Sequence, residues 1–396
     1  MASANNTGSI AVGWRPSSLS GWGVYGTNLV LQLKKQGRNP ILYMTPHRLD
    51  VDTDALQVFK SVLQRQPHLD ELLQKIGVLE FDFPVLHALR NDFHPPVEDQ
   101  IARGTLNVGV IFFEDTDISA DGLARARGYD LIVTGSQWNR RIAEARGLNH
   151  VITVLQGVDT NLFRPQPRSE HLKDRFVIFS GGKLEYRKAQ DVVIAAFRAF
   201  RARHPEAFLM FAWGNQWPAI MPTITQSRYV DGKPEEGADG VLNIGAWLER
   251  NGVPAGSYQD LGLAPNRAMP AFLASADVAL FPNRCEAGTN LVAMEAMAAG
   301  IPSILAMNTG QLDIAGAGHC YTLNIQGPVA PYEPYGGTEG WGEPDLDETI
   351  AALEAAYADA EQRKRFGAAG AAFMRKLDWS NQIAELARRI DETGVK

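Results

Sequence analysis

Glu286 and Glu295 are the residues of this chain best placed to do chemistry. Glu286 follows an apolar run, Val278-Ala-Leu-Phe281, that reads as a strand. After it comes a small-residue turn, Ala287-Gly-Thr-Asn290, and then an Ala- and Met-rich helix carrying Glu295. A strand, a tight turn and a helix N-terminus make an anion seat, because backbone N–H groups and the helix dipole both face incoming negative charge. Gly288, Thr289, Asn290 and Leu291 would present those amides; a plain helix cap by Thr or Asn is the alternative. Two carboxylates beside such a seat can hold sugar hydroxyls, so the combination suggests a nucleotide-sugar site. Glu295 lies among Ala and Met, where burial without a partner is costly, which favours a paired or ligand-bound role.

Lys183 and Lys188 add the complementary charge. They flank a turn after another strand, Phe176–Ser180, so both can reach one pocket. A departing diphosphate needs positive charge as its bond breaks, and such clamps act mainly in the transition state. Two solvated lysines on a loop are the plain alternative.

These residues must be positioned by alternating strands and helices. Ile10–Val12 reads as a strand, Gly13–Gly26 as a Gly-rich loop, and a helix capped by Thr27 or Asn28 runs to Gly37. Pro40–Met44, Val78–Phe83, Leu106–Phe113, Tyr129–Thr134 and Val151–Leu155 read as strands, with helix over Val51–Lys75 and Gln137–Arg146. The pattern restarts after Pro165–Ser169, with helix Ala189–Ala202 and strand Phe208–Trp213. Residues Thr223–Asp260 read as irregular insertions around a short strand, Val241–Ile244, and Gly327–Pro344 as a long loop. Helices are expected at Leu346–Tyr357, Asp359–Leu377 and Ser380–Ile390. The expected fold class is α/β, with two doubly wound domains.

The 396 residues suit two domains, and 45% hydrophobic against 21% charged content allows large cores. A net charge of -7 argues against a general nucleic-acid binder. The two cysteines, Cys285 and Cys320, show no metal-ligand spacing and fit a reducing compartment. No stretch approaches the roughly 18 apolar residues of a membrane span, and the start lacks a signal-peptide pattern, so a cytoplasmic protein is expected.

The order and spacing of several segments resemble the retaining glycosyltransferases of family 4, the group 1 glycosyl transferases. Gly21-Trp-Gly-Val-Tyr-Gly26 looks like that family's N-terminal Gly-rich loop, and Gln156-Gly-Val-Asp-Thr-Asn-Leu-Phe-Arg-Pro165 like its interdomain segment. Gly182-Lys-Leu-Glu-Tyr-Arg-Lys188 looks like its phosphate loop, and Glu286 to Pro302 like its paired-acid signature. Asp378-Trp379 resembles the pair preceding its last helix. The resemblance is strongest over residues 152–305. It implies the GT-B architecture, two Rossmann-like domains facing a central cleft. Residues 1–165 would bind the acceptor, 166–379 the nucleotide-sugar, and a helix over 380–396 would cross back onto the first domain.

The resemblance also implies roles. Lys183 and Lys188 would stabilise the leaving diphosphate, with Arg187 sharing the load and Gly182 shaping the loop. Glu286 would contact the donor sugar and Glu295 the ribose. Gly23, Tyr25 and Gly26 would belong to the N-domain loop, where the glycines allow either close ligand approach or tight packing. Glu114 stands where many members have His and would orient the acceptor hydroxyl. The substrate would be a nucleotide-diphospho-sugar, with no cofactor and no metal, and a hexose is expected as the transferred sugar. The acceptor stays open among glycan, lipid, protein and small molecule, and peripheral membrane contact stays open with it. Trp213–Trp217 would lie near the nucleotide pocket.

Several features depart from the family pattern. Lys183 stands where Arg is usual and Ala189 where Gly is usual. Glu286 and Glu295 are nine positions apart, one more than the usual separation, so the turn is one residue longer. Asp115-Thr-Asp117, Asp50-Val-Asp52 and Asp54 form Asp-x-Asp patterns like those that hold a divalent ion in GT-A enzymes, and are read as chance matches. A sugar phosphorylase, a nucleotide-sugar epimerase and a non-catalytic nucleotide-sugar-binding protein remain as alternatives on the same fold.

Overall fold

The computed structural model describes residues 8–96, 100–214, 217–237 and 240–394. The chain divides into two compact units, one of Met1–Gly157, Tyr335–Gly337 and Leu377–Lys396, the other of Val158–Pro334 and Thr338–Lys376.

The first unit holds a six-stranded parallel sheet in the order β2-β1-β3-β4-β5-β6. Its strands are β1 (Ser9–Gly13), β2 (Asn39–Leu42), β3 (Val85–Leu89), β4 (Asn107–Ile111), β5 (Leu131–Thr134) and β6 (Val151–Thr153). β3 replaces the strand expected at Val78–Phe83, where only Leu79–Glu80 makes a short bridge. The polar His87 hides β3 in the sequence. In the fold His87 is buried, and its Nε2 lies 3.1 Å from Asn107 Oδ1 on the neighbouring strand. The long helix expected over Val51–Lys75 is split into α2 (Thr53–Leu63) and α3 (Gln66–Ile76).

Helix α1 (Gly21–Lys35) begins earlier than expected, so the last part of the expected Gly-rich loop, Gly21–Gly26, forms its first turns. Ser20 caps it, its hydroxyl accepting from Gly23 N at 3.1 Å. The glycines serve packing: a Cβ on Gly23 would lie 2.5 Å from Ser17 Cβ, and one on Gly26 2.8 Å from Trp14 Nε1. Tyr25 is buried, and its ring stacks on Trp379 at 5.3 Å. Trp379 opens the last helix, α12 (Trp379–Gly394), whose apolar side packs on α1 within this unit. An Arg38–Asp391 pair, Nη1 to Oδ1 at 3.1 Å, ties the turn after α1 to α12 at the surface. Helices α4 (Ala120–Arg127) and α5 (Gln137–Ala145) follow β4 and β5.

The second unit holds another six-stranded parallel sheet: β7 (Phe176–Gly181), β8 (Ala207–Ala212), β9 (Tyr258–Asp260), β10 (Val278–Phe281), β11 (Ser303–Ala306) and β12 (Tyr321–Leu323). The order is β9-β8-β7-β10-β11-β12, that of a Rossmann sheet. The inner strands β7, β8, β10 and β11 are mostly apolar because helices cover both faces, whereas the edge strand β9 is polar. Ile178, Leu209 and Leu280 join Val193 and Phe197 of α6 (Gln190–Arg201) in one core. Trp247 and Leu248 of α7 (Ile244–Arg250) fill the same core. α7 is a correction to the irregular stretch expected there; at seven residues it is too short for a periodic signal. α8 (Met269–Leu273), α9 (Leu291–Ala298), α10 (Leu346–Ala358) and α11 (Ala360–Met374) complete the unit. Cys285 and Cys320 are both buried. No helix among the described residues is long and apolar enough to cross a membrane.

Candidate active site

Strand order in the second unit reverses between β7 and β10, which pair in parallel at Ile178–Val278. In open α/β sheets ligands bind outside the carboxyl ends of the strands at such a reversal. Both lysines and both acids lie on the segments that leave these two strands.

The segment after β7 turns at Gly182, whose φ of +121° suits glycine. Gly181 must also be small, since a Cβ there would lie 2.5 Å from Val292 Cγ1 on α9. A single 3₁₀ turn, Tyr186–Lys188, leads to Ala189 and then α6. Ala189 sits at φ +57°, a left-handed conformation in which glycine carries no strain. That is the physical meaning of the Gly-to-Ala departure.

The segment after β10, through Asn290, is buried throughout. Arg284 N and Cys285 N donate to Arg187 O at 2.9 and 3.4 Å, which stitches it to the β7 segment. The segment after β11 joins them: Glu286 N donates to Thr309 Oγ1 at 2.8 Å, and Gly310 N to Glu286 O at 2.9 Å. Gly310 has no room for a side chain, because a Cβ would meet Gly288 O at 1.9 Å.

Around Glu286 lies an ion cluster. Lys188 Nζ donates to both carboxylate oxygens, at 2.6 and 2.8 Å, and Asn283 Nδ2 donates to Oε1. Arg187 Nη1 reaches Glu286 Oε2 at 3.4 Å and Cys285 O at 2.8 Å, while its Nη2 donates to Glu185 Oε1 at 2.5 Å. Lys183 Nζ lies 3.4 Å from the same Glu185 oxygen. Glu185 is fully buried, which pushes its pKa up, yet the charges of Arg187, Lys183 and Lys188 hold it below the usual carboxylate range. Burial lowers the Lys188 ammonium pKa, with Glu286 opposing that shift. Arg187 is itself buried and committed to protein groups, so it braces the cluster; Lys183 is the more exposed cation.

Asn290 supplies the cap of α9 from a left-handed backbone, φ +65°. Its Oδ1 accepts from Ala293 N at 3.3 Å, and its Nδ2 donates to Gln311 Oε1 at 3.0 Å. Thr289 Oγ1 turns to Met294 Sδ at 2.9 Å, and Leu291 opens the helix half-buried. Glu295 follows one turn later, 6% exposed, with Asn266 Nδ2 donating to its Oε1. Burial, against the small opposing effect of that amide, pushes its pKa up to about 8.

That shift carries a sign. The folded state holds a proton on Glu295 that the unfolded state releases, so stability falls as pH rises from the ordinary carboxylate value through about 8. Glu295→Gln removes this penalty, which is on the order of a few kcal/mol when complete. The variant is expected to melt several degrees above the parent near pH 9 and close to it near pH 4. A constant offset between the two melting curves across that range would refute the assignment.

Other expected residues sit elsewhere. Glu114 is half-buried just after β4 in the first unit, its backbone N donating to Asn91 Oδ1 at 2.9 Å. Asp115 receives Gly337 N at 2.7 Å and Gly336 N at 3.1 Å, and Asp52 caps α2 through Ala55 N at 2.8 Å. Both Asp-x-Asp patterns thus serve backbone. Among the described residues no group of three or more His, Cys, Asp or Glu is placed to hold a metal ion. Trp213 is buried, its Nε1 donating to Ser180 Oγ at 3.1 Å, and Trp217 carries Lys183 Nζ 5.5 Å above its ring. Asn215 and Gln216 lie outside the described residues.

The sequence reading missed the residues that hold this site together. Arg284, fully buried, donates to Asp191 Oδ1 and Oδ2 at 2.8 Å each, to Glu343 Oε1 at 2.9 Å and to Tyr186 O at 2.7 Å. Asn266, Asn283 and Thr309 position the two acids. An arginine beside a Cys-Glu pair in an apolar setting was the available signal for the first of these.

Two Rossmann-like units, with cations and paired acids at the strand-order reversal of the second, are the frame of a GT-B protein. Residues 245–324 match the family described as glycosyl transferases group 1, so the resemblance drawn from the motifs holds over that segment. No curated protein matches the chain in sequence. Solved structures share the fold along nearly its whole length. Sucrose-phosphate synthase from Thermosynechococcus elongatus is 13% identical, with 97% of this chain and 98% of that one covered and a TM-score of 0.65. Anabaena Alr3699/HepE, in complex with UDP and glucose, is 13% identical, with 97% and 99% covered and a TM-score of 0.65. Trehalose-6-phosphate synthase OtsA is 14% identical, with 97% and 99% covered and a TM-score of 0.65. At these identities the likeness is one of fold.

Proposed function

We propose that the chain is a retaining glycosyltransferase that moves a hexose from a nucleotide-diphospho-sugar to an acceptor hydroxyl. The observation that carries this reading is the convergence of Lys188, Glu286 and Lys183 at the strand-order reversal, with Glu295 one turn into α9. A diphosphate at this turn competes with the Glu286 carboxylate for the Lys188 ammonium. As the sugar–phosphate bond breaks, charge grows on the phosphate oxygen, and a cation buried beside it acts more strongly than one in water. Glu286, released from Lys188, turns to the sugar hydroxyls, and Glu295 takes the ribose. Gly288 to Leu291 lend backbone amides to the phosphates. The first unit is assigned to the acceptor, with Glu114 orienting its hydroxyl. The reading includes no metal, so activity persists in EDTA, and a sequence with two cysteines supports a reducing, cytoplasmic setting.

A thermal-shift screen of UDP, ADP and GDP and their hexose conjugates tests the donor assignment, because a ligand that binds the folded state raises its melting point by mass action. One nucleotide series is expected to stand out. Failure of all three at millimolar concentration would end the nucleotide-sugar reading.

A further inference from the structure

We propose that Asn266 is a positioning residue for Glu295, aiming its carboxylate at the ribose of the bound nucleotide and thereby setting affinity for ribonucleotides; this rests on the nucleotide-sugar reading above. Asn266 does not come from the strands at the reversal. It opens a short 3₁₀ turn, Asn266–Ala268, in the segment that leaves the edge strand β9. Pro265 before it is extended, at φ -60° and ψ 143°, and fixes the direction of entry. Upstream, Leu261 N donates to Phe211 O at 2.8 Å and Gly262 N to Asp260 Oδ1 at 2.8 Å, which hold the start of the segment against β8 and β9. The segment therefore delivers one carboxamide onto a carboxylate carried by a different element, α9.

The chemistry of the pair explains the choice. A ribose diol donates hydrogen bonds, so its partner must be an acceptor with fixed orientation. A buried carboxylate free to rotate would lose that geometry. The Asn266 amide occupies Glu295 Oε1 and stops the rotation, leaving Oε2 for a ligand. Burial pushes the Glu295 carboxyl up, and the Asn266 amide opposes that shift. An amide favours the ionised acid without neutralising it, whereas a lysine here would form an ion pair that competes with the ligand. Asn266 thus keeps the acid available as well as aimed.

The test is titration calorimetry of the full chain with UDP, ADP and GDP and their 2′-deoxy forms across a pH series, for the parent, Asn266→Ala and the isosteric Asn266→Asp. In Asn266→Ala the ribonucleotide Kd is expected to rise about 10-fold, the scale of one hydrogen bond to a charged group. Binding should also reach its plateau at higher pH, because the acid loses the donor that favours its ionised form. The 2′-deoxy nucleotide should bind the parent about 10-fold more weakly and respond little to the substitution. Asn266→Asp, which places a second acid beside Glu295, should lose at least as much and regain binding as pH falls. Equal losses for ribo and deoxy forms with no change in pH profile would mean a merely structural role and overturn the inference alone, as would an unchanged Kd. No binding of any nucleotide by the parent would overturn the donor-site reading together with the inference.

Discussion

Lys188→Ala is expected to lower kcat/KM by about 10²–10³-fold, with most of the loss in kcat, while the secondary structure is retained. Two features single out Lys188 over Lys183. Its side chain is 13% exposed against 27%, so its charge is screened less. It also binds both oxygens of Glu286, so the ammonium that meets the leaving group is the one that holds the acid until the donor displaces it. Lys183→Ala should cost less. Lys188→Ala leaves Glu286 with Asn283 and the longer Arg187 contact, so its carboxylate keeps partners and the fold survives. Lys188→Arg tests geometry: a planar fork cannot reproduce the point charge, and only partial rescue is expected. Turnover of the winning nucleotide-sugar, with circular dichroism on each variant, checks this. A Lys188→Ala enzyme within about threefold of the parent would remove Lys188 from the reaction.

The doubly wound character of both halves was legible because most strands carry apolar runs, as Phe176–Phe179 and Val278–Phe281 do. β3 escaped because a buried histidine, satisfied only by the fold, broke its run. The start of α1 escaped for a related reason. Glycines at Gly23 and Gly26 signal a loop locally, but here they let Ser17 and Trp14 close on the helix, which tertiary packing alone reveals. At the candidate site, Lys183, Lys188, Glu286 and Glu295 were legible as candidates because they lie in the turn-and-helix segments that follow two apolar strands. Their supports were not. Arg284 and Asp191 are 93 positions apart, and Asn266 and Glu295 are 29 apart, so nothing local marks either pair. The turn after Glu286 also became interpretable only in the fold, where Asn290 caps α9 from a left-handed backbone and Gly288 O lies against Gly310.

Arg284 is where those supports converge, and its removal should be the most damaging to stability. Its guanidinium is buried and shared between Asp191 on α6 and Glu343, and it lies 3.7 Å from the Tyr186 ring centroid. Burial alone would lower its pKa, but Asp191 and Glu343 raise it well above the ordinary value, so it stays charged at any accessible pH. Arg284→Ala leaves two carboxylates facing each other without a cation, and breaking a buried pair in this way costs roughly 3–5 kcal/mol. Asp191→Ala alone should cost less, because Glu343 still answers the guanidinium. The double variant Arg284→Met/Asp191→Leu removes both the cation and one of its two acids, and should recover part of the Arg284→Ala loss, since apolar replacement of a buried pair is often near neutral. Urea unfolding of the three variants measures this; additive losses would mean that the charges act independently. The same bonds hold Tyr186 O beside Lys188, and the Arg284 backbone stitches the β7 and β10 segments together. The double variant, folded but without this fork, should therefore turn over more slowly than its stability explains, because an ammonium that must meet a phosphate oxygen tolerates little displacement.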